Sequence, residues 1–296
     1  MKVAVTGANG NLGIRLVSAL LERCDVVAIV RSSAAQLKLQ RLYPTLDVVI
    51  ADYTSKQALT AALGRCEVVI HLVGIIKASS TNSFNDAHEK SCQSLVGACE
   101  ATDVKKVIYL SIVGVDPQSS NACLASKAKA EITLQDADVD VTIIRVPMVL
   151  GEGDFASFAL KQNASSRLAI TFRSSSLEQP IYAGDVINAI LAAIEIDPVT
   201  IHLAGLESIT RKALIQRAAT ILHTSPTVLS VPIGIGMLIA AILELLPNPP
   251  VSRAMLGILD HDDEIDVKRG CELLNIELTS LDETLRQVLL FKDVSL

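Results

Sequence analysis

Half of the 296 residues are hydrophobic, only 3% are aromatic, and the formal net charge is −6. Such a chain can bury one large α/β core, or a core with a smaller lobe, in aliphatic strands covered by helices. The acidic balance excludes a general nucleic-acid binder, which needs a basic stripe for phosphates, while scattered cysteines without a CxxC pair and histidines without ligand spacing argue against disulfides or a metal and for a reducing cytoplasm.

From the amino terminus, β-branched runs at 3–5, 26–30, 48–50, 68–72, 107–110 and 141–146 predict strands. Helical patterns at 12–23, 34–42, 56–63, 84–102 and 124–137 separate them. Alternating strands and helices predict βαβ units and an α/β, doubly wound parallel sheet that takes ligands at its strand carboxyl ends. The first strand meets a glycine turn at once, so no signal peptide is expected.

After Gly151 the alternation weakens. The serines 165, 166 and 174–176 predict a loop, 183–196 a helix and 200–204 one more strand. From Leu206 the pattern is mainly helical, with Pro226, Pro232, Pro247, Pro249 and Pro250 as breaks. The expected organisation is a core over 1–150, to which 181–205 returns, and a smaller, mainly helical C-terminal lobe of 151–180 and 206–296. The acidic run Asp260, Asp262, Asp263, Glu264 and Asp266 lacks the glycine of a calcium loop, and reads as a solvated loop or helix start.

Residues 233–243 carry no charge, and Glu244, Leu245 and Leu246 extend the segment to Pro247. A membrane span needs about 20 apolar residues. The segment is therefore expected to be a buried helix of the lobe, with a docking surface for a membrane or a protein partner as the alternative.

The first strand runs into Thr6, Gly7, Ala8, Asn9, Gly10, Asn11, Leu12 and Gly13, and a helix follows. Glycines there allow a tight turn and close backbone approach to a pyrophosphate. The helix amino terminus offers N–H donors and a favourable dipole. The second strand ends in Arg31, not in an acid. An acid would hold a ribose 2′-hydroxyl, whereas an arginine can meet a 2′-phosphate. Asp52 and Tyr53 follow the third strand, with an N-cap for the helix near Lys56 as the alternative role of Asp52. His71 and His88 are expected to pack or hydrogen-bond.

These motifs resemble the extended and atypical short-chain dehydrogenase/reductase superfamily, a Rossmann fold that binds NAD(P). The resemblance extends to Ser111 after the fifth strand, to the segment from Cys123 through Lys127 to Glu131, and to Arg145 through Pro147 to Gly151. It continues in Pro180–Val186 and in Leu203, Ala204 and Gly205. It implies cofactor contacts from Gly7, Asn9, Gly10, Asn11, Leu12, Gly13, Arg31, Asp52, Tyr53, Leu72, Val73, Gly74, Ser111, Lys127 and Pro147. It implies catalytic roles for Ser111 and Lys127. The family's tyrosine position holds Cys123, whose sulfur lies much nearer the backbone than a phenol oxygen.

The nearest likeness is to the subgroup of the nucleotide-binding accessory subunit of respiratory complex I, where NADPH has a structural role. Three functions fit. One is an NADP(H)-binding protein, with NAD(H) as the lesser cofactor, serving stability or assembly with weak or no hydride transfer. A second is an NADPH-dependent oxidoreductase or epimerase on a small or nucleotide-linked substrate, its proton donor being Tyr109, Ser111 or a water held by Lys127. A third is a cofactor-ratio sensor. A protein complex, a membrane-peripheral partner or a homodimer would accompany a cytoplasmic location.

Overall fold

A computed structural model describes residues 1–246, 249 and 251–291. Two of the expected proline breaks, Pro247 and Pro250, lie outside the described residues. The chain divides into two compact units, one of residues 1–145 with 187–201 and one of 146–186 with 202–296.

In chain order the first unit begins β1 (Lys2–Thr6), α1 (Asn11–Leu21), β2 (Asp25–Val30), α2 (Ser33–Leu42), β3 (Asp47–Ile50), α3 (Lys56–Leu63) and β4 (Val68–His71). A π-helix (Asn85–Lys90) then runs into α4 (Ser91–Cys99), followed by β5 (Lys106–Ile112), α5 (Ala122–Gln135) and β6 (Asp140–Val146). Beyond these come β7 (Val149–Leu150), α6 (Phe155–Ser165), β8 (Leu168–Phe172), β9 (Leu177–Glu178), β10 (Ile181–Tyr182), α7 (Ala183–Ala193) and β11 (Thr200–His202). The remainder is β12 (Ile209–Thr210), α8 (Arg211–Ile221), β13 (Thr227–Val231), α9 (Ile233–Leu243), α10 (Arg253–Ile258), α11 (Lys268–Leu274) and α12 (Leu281–Leu290).

Seven strands form one sheet in the order β11-β6-β5-β4-β1-β2-β3. The chain starts mid-sheet, steps outward to β3, then returns to β4 and winds the other way. This is the doubly wound α/β fold expected from the alternation. The crevice of such a sheet opens where the order reverses, between β1 and β4. There the register sets Ile29, Thr6, His71 and Tyr109 in one row across four strands.

Local sequence starts the helices. Ser32 accepts the Ala35 N–H at 3.3 Å, Ser55 the Ala58 N–H at 3.2 Å, and Asn121 the Cys123 N–H at 3.0 Å. Asp52 is not the cap of α3; Ser55 is. Asp52 instead accepts the Thr54 N–H at 2.9 Å and its hydroxyl at 2.8 Å. One sheet face is covered by α3, α4 and α5, which bury Leu59, Leu95 and Leu134 with Val69, Val107 and Ile143.

In the second unit α6, α8 and α12 enclose a core of Leu160, Leu214, Ala218, Leu285 and Leu289. Two expectations are corrected there. The serine-rich stretch holds a strand, β8, which pairs in parallel with β13, from Leu168 opposite Thr227 to Phe172 opposite Val231. Between Gly151 and those serines, where the weakened alternation predicts no element, stands the helix α6, started by Asp154 accepting the Ser157 N–H at 2.7 Å. The second correction concerns the apolar segment. It is a helix, α9, but not a buried one: Ile235, Leu238, Ile239 and Ile242 are half or more exposed, and its buried residues are Gly236 and Ala240. A Cβ on Gly236 would lie 2.6 Å from the Phe172 ring. The helix therefore turns its small residues inward to approach Phe172 closely, and its large ones face outward. Among the described residues no helix is long and apolar enough to cross a membrane.

The acidic run is a loop that binds its own unit. Arg173 Nη1 donates to Asp260 at 2.8 Å, and Asp262 accepts the Ser176 hydroxyl at 2.7 Å and the Leu177 N–H at 3.0 Å.

Candidate dinucleotide site

The loop after β1 carries the first part of the site. Gly7 adopts φ +70°, a region that favours glycine. Its carbonyl accepts the Gly10 N–H at 3.0 Å, closing a tight turn. Gly10 caps α1 without a side chain, and no acid occupies the first turn. That helix end is thereby left to an anion from outside the chain. A Cβ on Gly13 would stand 2.5 Å from the Gly7 carbonyl oxygen and 2.7 Å from the carbonyl of Ala8, so only glycine lets the loop and α1 come this close. Asn11 Oδ1 accepts from Arg15 Nε at 2.9 Å on the helix surface. Asn9 and Leu12 are half-buried in the same loop.

Tyr53 has a use that the sequence did not reveal. Its phenol accepts the Gly7 N–H at 2.9 Å and donates to the Ile29 carbonyl at 2.8 Å. One buried oxygen thus ties the glycine loop to the end of β2. Burial pushes this phenol above its usual range, so it stays an O–H donor. Above it lies Arg31, whose guanidinium carbon is 5.9 Å from the ring centroid. Arg31, Asp52, Tyr53 and Val73 share a cleft of about 180 Å³ with Thr81 and Asn82.

Leu72, Val73 and Gly74 leave β4 beside Gly7, where a Gly7 Cβ would lie 3.2 Å from the Leu72 carbonyl carbon. His71, fully buried, shares a 2.8 Å hydrogen bond with the Thr6 hydroxyl. His88 is also buried. Its Nε2 accepts the Ile75 N–H at 3.0 Å, so Nδ1 carries the proton and donates to Ser126 Oγ at 2.8 Å. Ser126 then donates to the Cys123 carbonyl at 3.1 Å. Burial, with the charge of Lys127 behind it, drives both histidines down to about 3. They are neutral struts.

Lys127 is 6% exposed and donates to the Tyr109 hydroxyl and the Leu110 carbonyl, each at 3.1 Å. Burial lowers its ammonium below the usual lysine range. It lies against Gly74, whose Cβ would be 3.3 Å from Nζ. Tyr109 itself is fully buried, and burial holds its phenol well above the ordinary value. Cys123 is fully buried as well. Its Sγ donates to the Ile75 carbonyl at 3.4 Å, and burial pushes the thiol up to about 11. Ser111 Oγ is buried with no hydrogen-bond partner among the described residues. An unpaired buried hydroxyl at a strand carboxyl end suits a polar ligand group. With the glycine cradle, it fits a dinucleotide. Pro147 belongs to the second unit.

Comparison with known proteins agrees with this geometry. The family model described as NAD(P)H-binding matches residues 7–171. The chain belongs to this NAD(P)H-binding family.

Among curated relatives, a ceramide reductase of Caulobacter vibrioides is 32% identical over 166 residues, which are 55% of this chain and 51% of that protein. NADH dehydrogenase (ubiquinone) 1 alpha subcomplex subunit 9, mitochondrial, of Arabidopsis thaliana is 26% identical over 258 residues, 82% of this chain and 63% of that one. The chain thus spans about half of the first relative's length and under two thirds of the second's. A solved UDP-glucuronic acid 4-epimerase from Bacillus cereus, in complex with UDP-glucuronic acid and NAD, superposes with a TM-score of 0.74 at 19% identity over 97% of both chains. That likeness shows the fold. The NAD(P)-binding Rossmann core and the short-chain dehydrogenase/reductase resemblance stand on these matches together.

Sequence reasoning missed the Tyr53 strut, the His88–Ser126–Cys123 chain and the Asn82 contact described below. None has a local signal, since the partners lie 46, 38 and 51 residues apart.

Proposed function

We propose that this protein holds NADP(H) in preference to NAD(H), chiefly for a structural or assembly role, and transfers hydride weakly or not at all. The observation that carries the reading is Cys123. In place of the family's tyrosine stands a fully buried thiol that donates to the Ile75 carbonyl and is pushed up to about 11. A general acid must come within about 2.6–3.2 Å of its target, and this thiol is short and turned to the backbone. Tyr109 does not replace it, because its hydroxyl lies in the core under Lys127.

The residues that would hold the cofactor are Gly7, Gly10 and Gly13 at the pyrophosphate, Arg31 and Asp52 at the adenosine end, and Ser111 and Lys127 at the nicotinamide end. When bound, the dinucleotide supplies a hydride. Lys127 has three donors, two of them engaged within the protein, and the third is left for a ribose hydroxyl. A role in a larger assembly draws support from the likeness to the plant NADH dehydrogenase subunit.

A second reading, an NADPH-dependent reductase, is favoured by the unpaired Ser111 hydroxyl and by the match to a ceramide reductase. Ser111 would then hold a substrate carbonyl, and a water would have to deliver the proton.

The test is calorimetry with NADPH and NADH, followed by NADPH oxidation over a panel of ketones, acyl-chain ketones included. Tight NADPH binding without turnover is expected. Robust turnover abolished by Cys123→Ser would overturn the proposal, and robust turnover untouched by that change would favour the second reading.

A further inference from the structure

Arg31 faces a turn in the connection between β4 and the π-helix. Ser79 N–H donates to the Asn82 carbonyl at 3.0 Å, and Asn82 N–H returns a bond to the Ser79 carbonyl at 3.3 Å. Ser79 Oγ accepts the Thr81 N–H at 3.4 Å. The backbone so closed presents Thr81 and Asn82 to the cleft that Arg31 borders. Across that cleft Arg31 Nη1 donates to Asn82 Oδ1 at 3.3 Å.

A guanidinium is a donor at every nitrogen, so the amide oxygen must face it. The Asn82 amide N–H groups then turn away from Arg31. Arg31 has no carboxylate partner among the described residues, and one side-chain hydrogen bond uses one of its five N–H groups. Held by the amide at its tip and resting on the Tyr53 ring, it keeps a donor fork for an anion.

Two carboxylates line the same cleft, and both are engaged. Asp86 lies 2.7 Å from Lys90 Nζ and accepts the Ser83 hydroxyl at 2.7 Å. Asp52 accepts from Thr54. Arg31 is the one cationic side chain among the described residues that line the cleft, and no carboxylate there pairs with it.

We infer that the 79–82 turn is the second half of a 2′-phosphate site. Asn82 positions Arg31 for the phosphate of NADP(H), and the Asn82 amide and the Thr81 hydroxyl donate to its remaining oxygens. The inference rests on the NADP(H) preference proposed above and names the residues that would enforce it. Asn82 is a specificity residue that acts partly through Arg31.

The experiment is calorimetry of NADPH and NADH on the full chain, as wild type, Asn82→Ala, Asn82→Asp and Thr81→Ala. Wild type should favour NADPH about tenfold or more, as one charge-assisted contact provides. Asn82→Ala should reduce that ratio about threefold to tenfold by weakening NADPH alone. Asn82→Asp gives Arg31 a carboxylate and sets a negative charge where the phosphate would sit, so it should reverse the preference toward NADH. Thr81→Ala should narrow the ratio less than Asn82→Ala does.

An NADH affinity no weaker than that of the wild type in each variant shows that the fold is intact. A wild-type ratio kept by Asn82→Asp would overturn the inference while leaving the NADP(H) reading in place. Equal loss of both cofactors in the Asn82 variants would also overturn it, making the turn a general support. No preference in the wild type would refute the underlying reading and, with it, this site.

Discussion

Replacing Tyr53 by phenylalanine removes one oxygen and keeps the ring. Tyr53 is 4% exposed, and its hydroxyl holds two backbone groups, the Gly7 N–H at 2.9 Å and the Ile29 carbonyl at 2.8 Å. In Tyr53→Phe both would face a C–H edge. A buried polar group left unpaired costs about 1–3 kcal/mol. Gly7 is half-buried, so water can reach its N–H in part, which puts the sum near 2–4 kcal/mol. At about 2–4 °C per kcal/mol for a chain of this size, the melting temperature should fall by roughly 4–16 °C. The loss should also reach the cofactor, because Gly7, at φ +70°, sets the turn that presents the end of α1. NADPH affinity should therefore drop, and saturating NADPH should restore part of the lost stability by mass action. Thermal melts with and without NADPH, together with calorimetry, measure all three effects. An unchanged melting temperature with unchanged affinity would refute the strut.

Two further outcomes are expected. Ile239→Asp should leave the fold intact, within about 0.5 kcal/mol, since Ile239 is half exposed; Ala240→Asp, one residue on and fully buried, should unfold the second unit. Equal melting losses for the two variants would contradict the orientation of α9. The second outcome concerns acid. His71 and His88 are driven to about 3 by burial, below the unfolded value of about 6.5. The unfolded chain therefore binds protons first, so the stability that these groups contribute is complete above pH ~6.5 and lost as pH falls from there toward ~3, by up to about 1.4 kcal/mol per pH unit for each histidine. Urea titrations across that range should give a shallower slope for His88→Asn than for wild type, and parallel curves would rule the effect out.

What the sequence determined by itself is what depends on neighbours along the chain. The alternation of β-branched runs with helical patterns follows from hydrophobic period, so the doubly wound sheet was legible without coordinates. The glycine loop was legible because strand, turn and helix are contiguous there. Arg31 was found by its place after a strand, and Lys127 by the family resemblance of the segment that begins at Cys123. The limits are equally physical. Residues 233–243 are apolar on every side, so no period marks the inward face; that was decided by Gly236 and Ala240, small enough to let the helix approach Phe172. β8 is short and half exposed, with Leu168 and Ile170 outward, and gains its partner β13 from 59 residues further along, where Thr227 pairs with Leu168. The electrostatic character of the site was likewise tertiary. A histidine, a cysteine and a lysine carry no sequence mark of their burial. Packing of α5 and the π-helix around the end of β4 made His88 a neutral strut, pushed the Cys123 thiol to about 11 and turned Lys127 toward Tyr109, because desolvation penalises a charge only once the surrounding elements have excluded water.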